Sequence, residues 1–207
     1  MSLPEKTVER LSEYRRTLLV CLNQGKSHIF SHELAALLHN TAVQVRRDMM
    51  LMGFTSMQRK GYAIKELIDA IGDLIDTSEG LNVAVVGAGN LGRAITGYFR
   101  GKRSKLNIVA VFDIDPDKVG RMIAGVKCFS MDEFGKLVAD LQISIAILTV
   151  PPEQSRSTAE YVAGNGIRGI LNYTTVPLNM PPNVYLEEYD MITSLEKTAY
   201  FVKHSQA

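Results

Sequence analysis

A chain of 207 residues is long for one domain and short for two large ones, so one or two units are expected. Hydrophobic residues make up 46% and charged residues 22%, an ordinary globular balance that excludes a wholly disordered or low-complexity chain. The net charge of +1 makes no general case for a polyanionic partner, but its distribution singles out one end. Residues 1–62 hold nine Lys or Arg against five Asp or Glu, while the rest of the chain is slightly acidic. Cys21 and Cys128 lie far apart in apolar surroundings without metal-ligand spacing, so both are expected as buried thiols. The opening residues show neither a signal-peptide pattern nor an apolar span, which points to the cytoplasm and to no membrane association.

In chain order, Thr7–Leu22 has apolar residues close to a helical period. Ser31 is expected to cap a short helix through Leu38, and Thr41 a third helix carrying Val43, Val45, Met49 and Met50 and ending near Gly53. Two short helices around a tight polar turn form a helix-turn-helix candidate. Its second helix presents Gln44, Arg46 and Arg47, which would divide contacts between base edges and phosphates. Ser56 to Lys60 forms a candidate wing in which Arg59 and Lys60 would meet the DNA backbone or minor groove, followed by an extended stretch over Gly61–Ile64. Such signals are diffuse, and a three-helix interaction module with solvated arginines fits the same residues. Lys65–Asp76 predicts another amphipathic helix, and Thr77–Gly80 a linker, placing a boundary near residue 78.

Beyond Leu81 strands and helices alternate. Asn82–Val86, Asn107–Phe112, Ile143–Val150 and Gly169–Leu171 are expected strands, and Asn90–Arg100 and Glu153–Asn165 helices. Apolar strands joined by helical crossovers imply a parallel sheet covered on both faces. After Pro181 and Pro182 about one strand and one terminal helix remain, whose stripe of Met191, Ile192, Leu195, Ala199 and Val202 needs a surface to cover.

Gly87, Ala88, Gly89, Asn90, Leu91 and Gly92 place GxGxxG between a strand and a helix, and Asp113 follows the second strand 21 residues past Gly92. Gly87 would permit the tight turn, Gly89 the approach of a pyrophosphate, and Gly92 close packing of helix on strand. Amides at the helix start would hold phosphate oxygens, and Asp113 the adenosine ribose hydroxyls. Asp113 would also repel the extra phosphate of NADP, since Ile114, Asp115, Pro116 and Asp117 supply no adjacent positive charge. NAD(H) is the expected cofactor; FAD, coenzyme A or an empty turn are the alternatives. Arg93 would either neutralise pyrophosphate or face solvent, and Tyr98 reads first as a packing aromatic. Thr149, Val150 and Pro151 end a strand where ligands of open α/β sheets approach.

No catalytic residues and no metal site are assigned. A dehydrogenase needs room for a second substrate and a group to move its proton. No substrate domain follows the nucleotide motif, and Tyr161 and Asn165 lack the lysine spacing of a reductase pair. Glu187, Glu188 and Asp190 read as the start of a helix rather than as metal ligands. Cofactor binding without catalytic apparatus implies sensing. A small NAD-dependent oxidoreductase with an N-terminal cap and an NAD-binding protein-interaction module are the other readings.

Over essentially its whole length the chain resembles the Rex family of redox-sensing transcriptional repressors. The likeness is carried by Ser31-His32-Glu33-Leu34-Ala35, Val43-Gln44-Val45-Arg46-Arg47-Asp48, Gly61-Tyr62 and Val85-Val86-Gly87-Ala88-Gly89-Asn90-Leu91-Gly92-Arg93-Ala94. It continues in Phe112-Asp113-Ile114-Asp115-Pro116, Ile147-Leu148-Thr149-Val150-Pro151 and Gly166-Ile167-Arg168-Gly169-Ile170-Leu171-Asn172. The resemblance implies an α/β protein with a winged helix-turn-helix domain over residues 1–78, a Rossmann domain over 79–187 and a swapped C-terminal dimerisation helix over 188–207. It implies a homodimer that binds palindromic operator DNA when NADH is low and leaves it when NADH occupies the Rossmann sites, with NAD+ competing without release. Ser31 is also expected among the DNA contacts and Arg93 and Tyr98 among the cofactor neighbours, while the resemblance assigns Arg16, Tyr98 and Asp190 to alternative hydrogen-bond arrangements that couple the two domains. The chain departs from the family pattern at Ser56–Lys60, where two wing glycines are absent, at Met49-Met50-Leu51-Met52, and at Tyr173-Thr174-Thr175 near the nicotinamide.

Overall fold

Leu11, Tyr14, Leu18 and Cys21 recur every three or four residues along α1 (Glu5–Asn23), giving one helix face wholly committed to a core. The computed structural model describes residues 3–55, 60–99 and 105–205. Contacts within the chain divide it into Met1–Ser78 and Glu79–Ala207.

In the first unit α1 packs against α4 (Ile64–Ile75), which buries Ile64, Leu67 and Ile71 completely. Each such side chain stabilises the unit by roughly 1.5–3 kcal/mol relative to exposure. Between them lie α2 (Ser31–Leu37) and α3 (Ala42–Leu51), joined by a turn in which His39 has a φ of 52°. Strands β1 (His28–Ile29) and β2 (Tyr62–Ala63) pair antiparallel, clamping the segment after α3 back onto the start of α2. Thr41 caps α3 by accepting the Gln44 N–H at 3.1 Å. The expected Ser31 cap is corrected: Phe30 holds the cap position, and the Glu33 carboxylate accepts its N–H at 2.7 Å. A glutamate three residues into the helix satisfies that end without a hydroxyl at the cap, which frees Ser31 for another partner. Of the candidate wing, residues 56–59, including Arg59, lie outside the described residues; Lys60 is exposed.

The second unit is built on a seven-stranded sheet. Its strands are β3 (Leu81–Val86), β4 (Leu106–Asp113), β5 (Met122–Ile123), β6 (Val126–Ser130), β7 (Ile143–Leu148), β8 (Gly169–Asn172) and β9 (Tyr185–Glu188). They lie in the order β5-β6-β4-β3-β7-β8-β9, and only the β5–β6 pairing is antiparallel. The chain moves outward from β3 through β4 to β6, then returns to the other side of β3 at β7. That reversal opens a crevice at the carboxyl ends of β3 and β7, the characteristic ligand position of a doubly wound sheet. Among the described residues, α5 (Asn90–Phe99), α6 (Phe134–Asp140) and α7 (Ser155–Gly164) accompany the sheet.

The expectation of helical crossovers holds for β3–β4, β6–β7 and β7–β8 but not throughout. The β4–β6 connection contains Pro116, Gly120 and Gly125, and β8–β9 contains Pro177, Pro181 and Pro182; neither forms a helix. Glu187 and Glu188 also differ from expectation, since both belong to β9, where the Glu188 carboxylate accepts the Leu178 N–H at 2.8 Å. The last helix, α8 (Met191–His204), buries none of its residues; Met191, Ile192, Leu195, Phe201 and Val202 are each more than half exposed.

Candidate nucleotide-binding site and nucleic-acid interface

β3 is followed directly by Gly87, which adopts a left-handed φ of +101° beneath the end of β7. A side chain there would lie 2.8 Å from the Thr149 carbonyl oxygen. Gly92 is tighter still, because a Cβ would fall 1.9 Å from the Gly87 carbonyl oxygen. These two glycines let α5 start directly on the strand end. Gly89 plays a different part: nothing lies within 4 Å of a Cβ built on it. Its open face borders a cavity of about 800 Å³ that is also lined by Asn90, Leu91, Asp113, Val150 and Pro151.

Asn90, Leu91 and Gly92 form the first turn of α5, whose N–H groups have no acceptor within the helix. Bare amides, a positive helix end and a glycine with open space above it fit a pyrophosphate. Asp113, at the end of β4, is 9% exposed and accepts the Ala88 N–H at 2.6 Å and the Asp115 N–H at 2.9 Å. The buried Ala88 therefore contributes through its backbone, joining the glycine turn to the carboxylate expected at the ribose. Thr149 donates its hydroxyl to the carbonyls of Val86 at 3.0 Å and Gly87 at 2.8 Å, so its first task is to fasten β7 to that turn. Arg93 is exposed on α5 and does not border the cavity. Tyr98, 61% exposed, packs edge-on against Phe99 and also stands outside it.

One cavity residue was invisible to local spacing. Lys118 lies five positions beyond Asp113, but the turn after β4 brings its Nζ to 3.2 Å from Asp113 and 3.3 Å from Asp115. The four residues directly after Asp113 carry no positive charge, as expected, but the fold supplies one from the fifth. Tyr161 also lines the cavity, with its hydroxyl donating to the Met131 carbonyl at 3.3 Å.

In the first unit α3 exposes Val43, Arg46 and Arg47 on one side and buries Val45, Asp48 and Met49 on the other. Arg46 donates to the Ser31 hydroxyl at 3.2 Å, tying the start of α2 to α3. Asp48 is completely buried and accepts two hydrogen bonds from Arg10 at 2.7 Å, one from Tyr14 at 2.8 Å and one from Gln44 at 3.0 Å. The Gln44 amide, expected at a base edge, is engaged by this buried carboxylate. Burial works to raise the Asp48 pKa, but the donors and the Arg10 charge together hold it below the ordinary carboxylate value. Burial, reinforced by the bond to Asp48, pushes the Tyr14 phenol up.

Arg16 is exposed on α1. Asp190 caps α8: one carboxylate oxygen accepts the Ile192 and Thr193 N–H groups at 2.8 and 3.2 Å, and the other takes the Thr193 hydroxyl. These bonds, that from the Thr193 hydroxyl first, hold its carboxyl below the usual range. The substituted segment near β8 is also ordered by side chains. Asn172 accepts from the Thr174 N–H and hydroxyl at 3.0 and 2.7 Å, and Tyr173 packs against Tyr189 with ring centres 5.1 Å apart.

A helix-turn-helix unit followed by a doubly wound sheet with a glycine-turn crevice defines a regulator class in which a nucleic-acid-binding fold accompanies a nucleotide-binding one. Residues 2–49 match the family described as putative DNA-binding protein N-terminus, and residues 77–176 the CoA binding domain family. The chain is 33% identical to the redox-sensing transcriptional repressor Rex of Lactobacillus acidophilus, over 98% of this chain and 96% of that protein. It is 34% identical to that of Leuconostoc citreum, over 97% and 93%. The chain belongs to the family of Rex redox-sensing transcriptional repressors. Among solved structures it is similar to RSP, a Rex-family repressor. The RSP complex with NAD+ and operator DNA gives a TM-score of 0.91 at 29% identity, covering 100% of this chain and 95% of that one. The RSP complex with NADH gives 0.88 at 29% identity, covering 100% and 97%.

Proposed function

We propose that this protein is a redox-sensing transcriptional repressor that binds palindromic operator DNA, leaves it when NADH binds, and so responds to the NADH/NAD+ ratio. The carrying observation is that both units, over the full chain, resemble a Rex-family repressor solved with NADH and with NAD+ and operator DNA. The crevice chemistry supports the same ligand, with Gly89 and the α5 start suited to pyrophosphate and Asp113 to ribose hydroxyls. The protein acts without catalysis and in the cytoplasm. It works as a homodimer in which the exposed apolar side of α8 covers the partner's Rossmann domain. Arg46, Arg47, Arg59 and Lys60 supply the DNA contacts.

A mobility-shift titration on a palindromic operator duplex at fixed salt tests the reading. The protein is expected to bind the duplex in preference to competitor DNA, to release it with NADH and to retain it with NAD+. Arg47→Ala should weaken DNA binding on the order of tenfold while leaving NADH binding intact. Binding no tighter than to competitor, or equal release by both nucleotides, would refute the proposal.

In the switch, Arg16, Tyr98 and Asp190 exchange hydrogen-bond partners between two states of similar free energy. Because Asp190 also caps α8, alanine removes cap and charge together, whereas asparagine retains the capping oxygen. Asp190→Asn should therefore keep α8 helical by circular dichroism yet impair NADH-driven release. Normal release by Asp190→Asn would show that the Asp190 charge takes no part in switching.

A further inference from the structure

The segment after β4 is pinned rather than loose. The Asp115 carbonyl accepts the Lys118 and Val119 N–H groups at 3.0 and 3.2 Å, and the Asp115 side chain accepts the Asp117 N–H at 3.0 Å. Two further bonds, Gly120 N–H to the Cys128 carbonyl at 2.9 Å and Cys128 N–H to the Arg121 carbonyl at 2.8 Å, fasten the turn to β6. Lys118 is thus delivered to the cavity wall by the backbone. Its side chain, 33% exposed, ends between Asp113, which is nearly buried, and Asp115, which is 40% exposed. All three line the cavity.

We propose that Lys118 is a specificity-determining residue of the nucleotide site. By bridging Asp113 and Asp115, it sets the net charge that meets the 2′ position of the adenosine ribose, and therefore how strongly a 2′-phosphate is refused. The proposal rests on the NAD(H) reading of the crevice given above. With Lys118 present the three groups carry a net charge of about −1; without it two carboxylates face the incoming nucleotide with about −2. Arg121 also acts on Asp115 but makes no bond to either carboxylate among the described residues. A ribose hydroxyl is neutral and responds mainly to the orientation of Asp113, which the Ala88 and Asp115 amides still hold when Lys118 is removed. A 2′-phosphate responds to the whole local charge. The same geometry makes Lys118 the cation left to receive that phosphate when Asp113 is neutralised.

The test titrates NADH and NADPH separately against the full chain, with melting temperature as the folding control. Lys118→Met should weaken NADPH roughly tenfold more than NADH, the scale of one unit charge acting through a partly solvated site. Lys118→Arg should restore the wild-type ratio. Asp113→Ser should raise NADPH affinity relative to NADH, and adding Lys118→Met should abolish that gain. Equal losses for both nucleotides in Lys118→Met, or a gain in Asp113→Ser that survives loss of the lysine, would overturn the proposal. Wild-type protein that binds neither nucleotide would instead remove the reading of the crevice itself.

Discussion

Replacing Asp48 with alanine is expected to destabilise the N-terminal unit by about 3 kcal/mol, a large share of a typical domain's stability. The carboxylate is wholly buried and serves Arg10, Tyr14 and Gln44 at once. Its removal strands the fully buried Tyr14 hydroxyl and leaves the Arg10 guanidinium without its counter-ion. Arg10 is 21% exposed and can regain some water, which places the loss toward the low end of the range for a broken buried pair. Urea unfolding read by circular dichroism measures the change. Nucleotide affinity should persist, whereas operator affinity should fall with the fraction of folded N-terminal unit.

The same network predicts acid sensitivity with a definite sign. Asp48 titrates below its unfolded value, so its contribution is complete above the ordinary aspartate range near about pH 4 and is lost as pH falls through its lower folded pKa. Wild-type protein should therefore lose stability more steeply than Asp48→Ala in that acidic window. Parallel stability curves for the two proteins would show that the buried carboxylate does not govern this response.

A second large effect separates Gly92 from Gly89, the two glycines to which the motif gives different tasks. Gly92→Ala must push a methyl against the Gly87 carbonyl, at 1.9 Å, and the Thr149 hydroxyl, at 2.7 Å. Both neighbours belong to the turn that joins β3, α5 and β7, so relief requires backbone movement. A cost of about 1–3 kcal/mol in stability is expected, together with loss of NADH binding. Gly89→Ala meets no protein atom within 4 Å and should leave the melting temperature unchanged. Its methyl instead occupies the space required for pyrophosphate, so NADH affinity should fall on the order of tenfold. Calorimetry of both variants, for melting and for NADH binding, gives the comparison. A destabilised Gly89→Ala or an unaffected Gly92→Ala would contradict this division of labour.

The amino-acid sequence by itself determined the elements that carry long or punctuated patterns: α1, α3 and its Thr41 cap, α4, and the β3–Gly87–α5–β4 unit ending at Asp113. These are local properties, set by periodicity over many residues or by glycine at a strand end. The short strands β1, β5 and β6 carry little period of their own and exist because a distant partner completes their hydrogen bonds, whereas β2 falls inside the extended stretch expected over Gly61–Ile64. The linkers after β4 and β8 were likewise decided against helix by proline and glycine acting within a sheet whose order the spacing did not reveal. Polar partnerships depended most on tertiary structure. Nothing near Asp48 in the chain assigns it a partner until α1 brings Arg10 and Tyr14 to it, and Lys118 lies outside the nucleotide motif until the turn after β4 brings it back to Asp113. A charged side chain's role is set by what the fold places within about 3 Å of it, and adjacency in the chain carries little of that information.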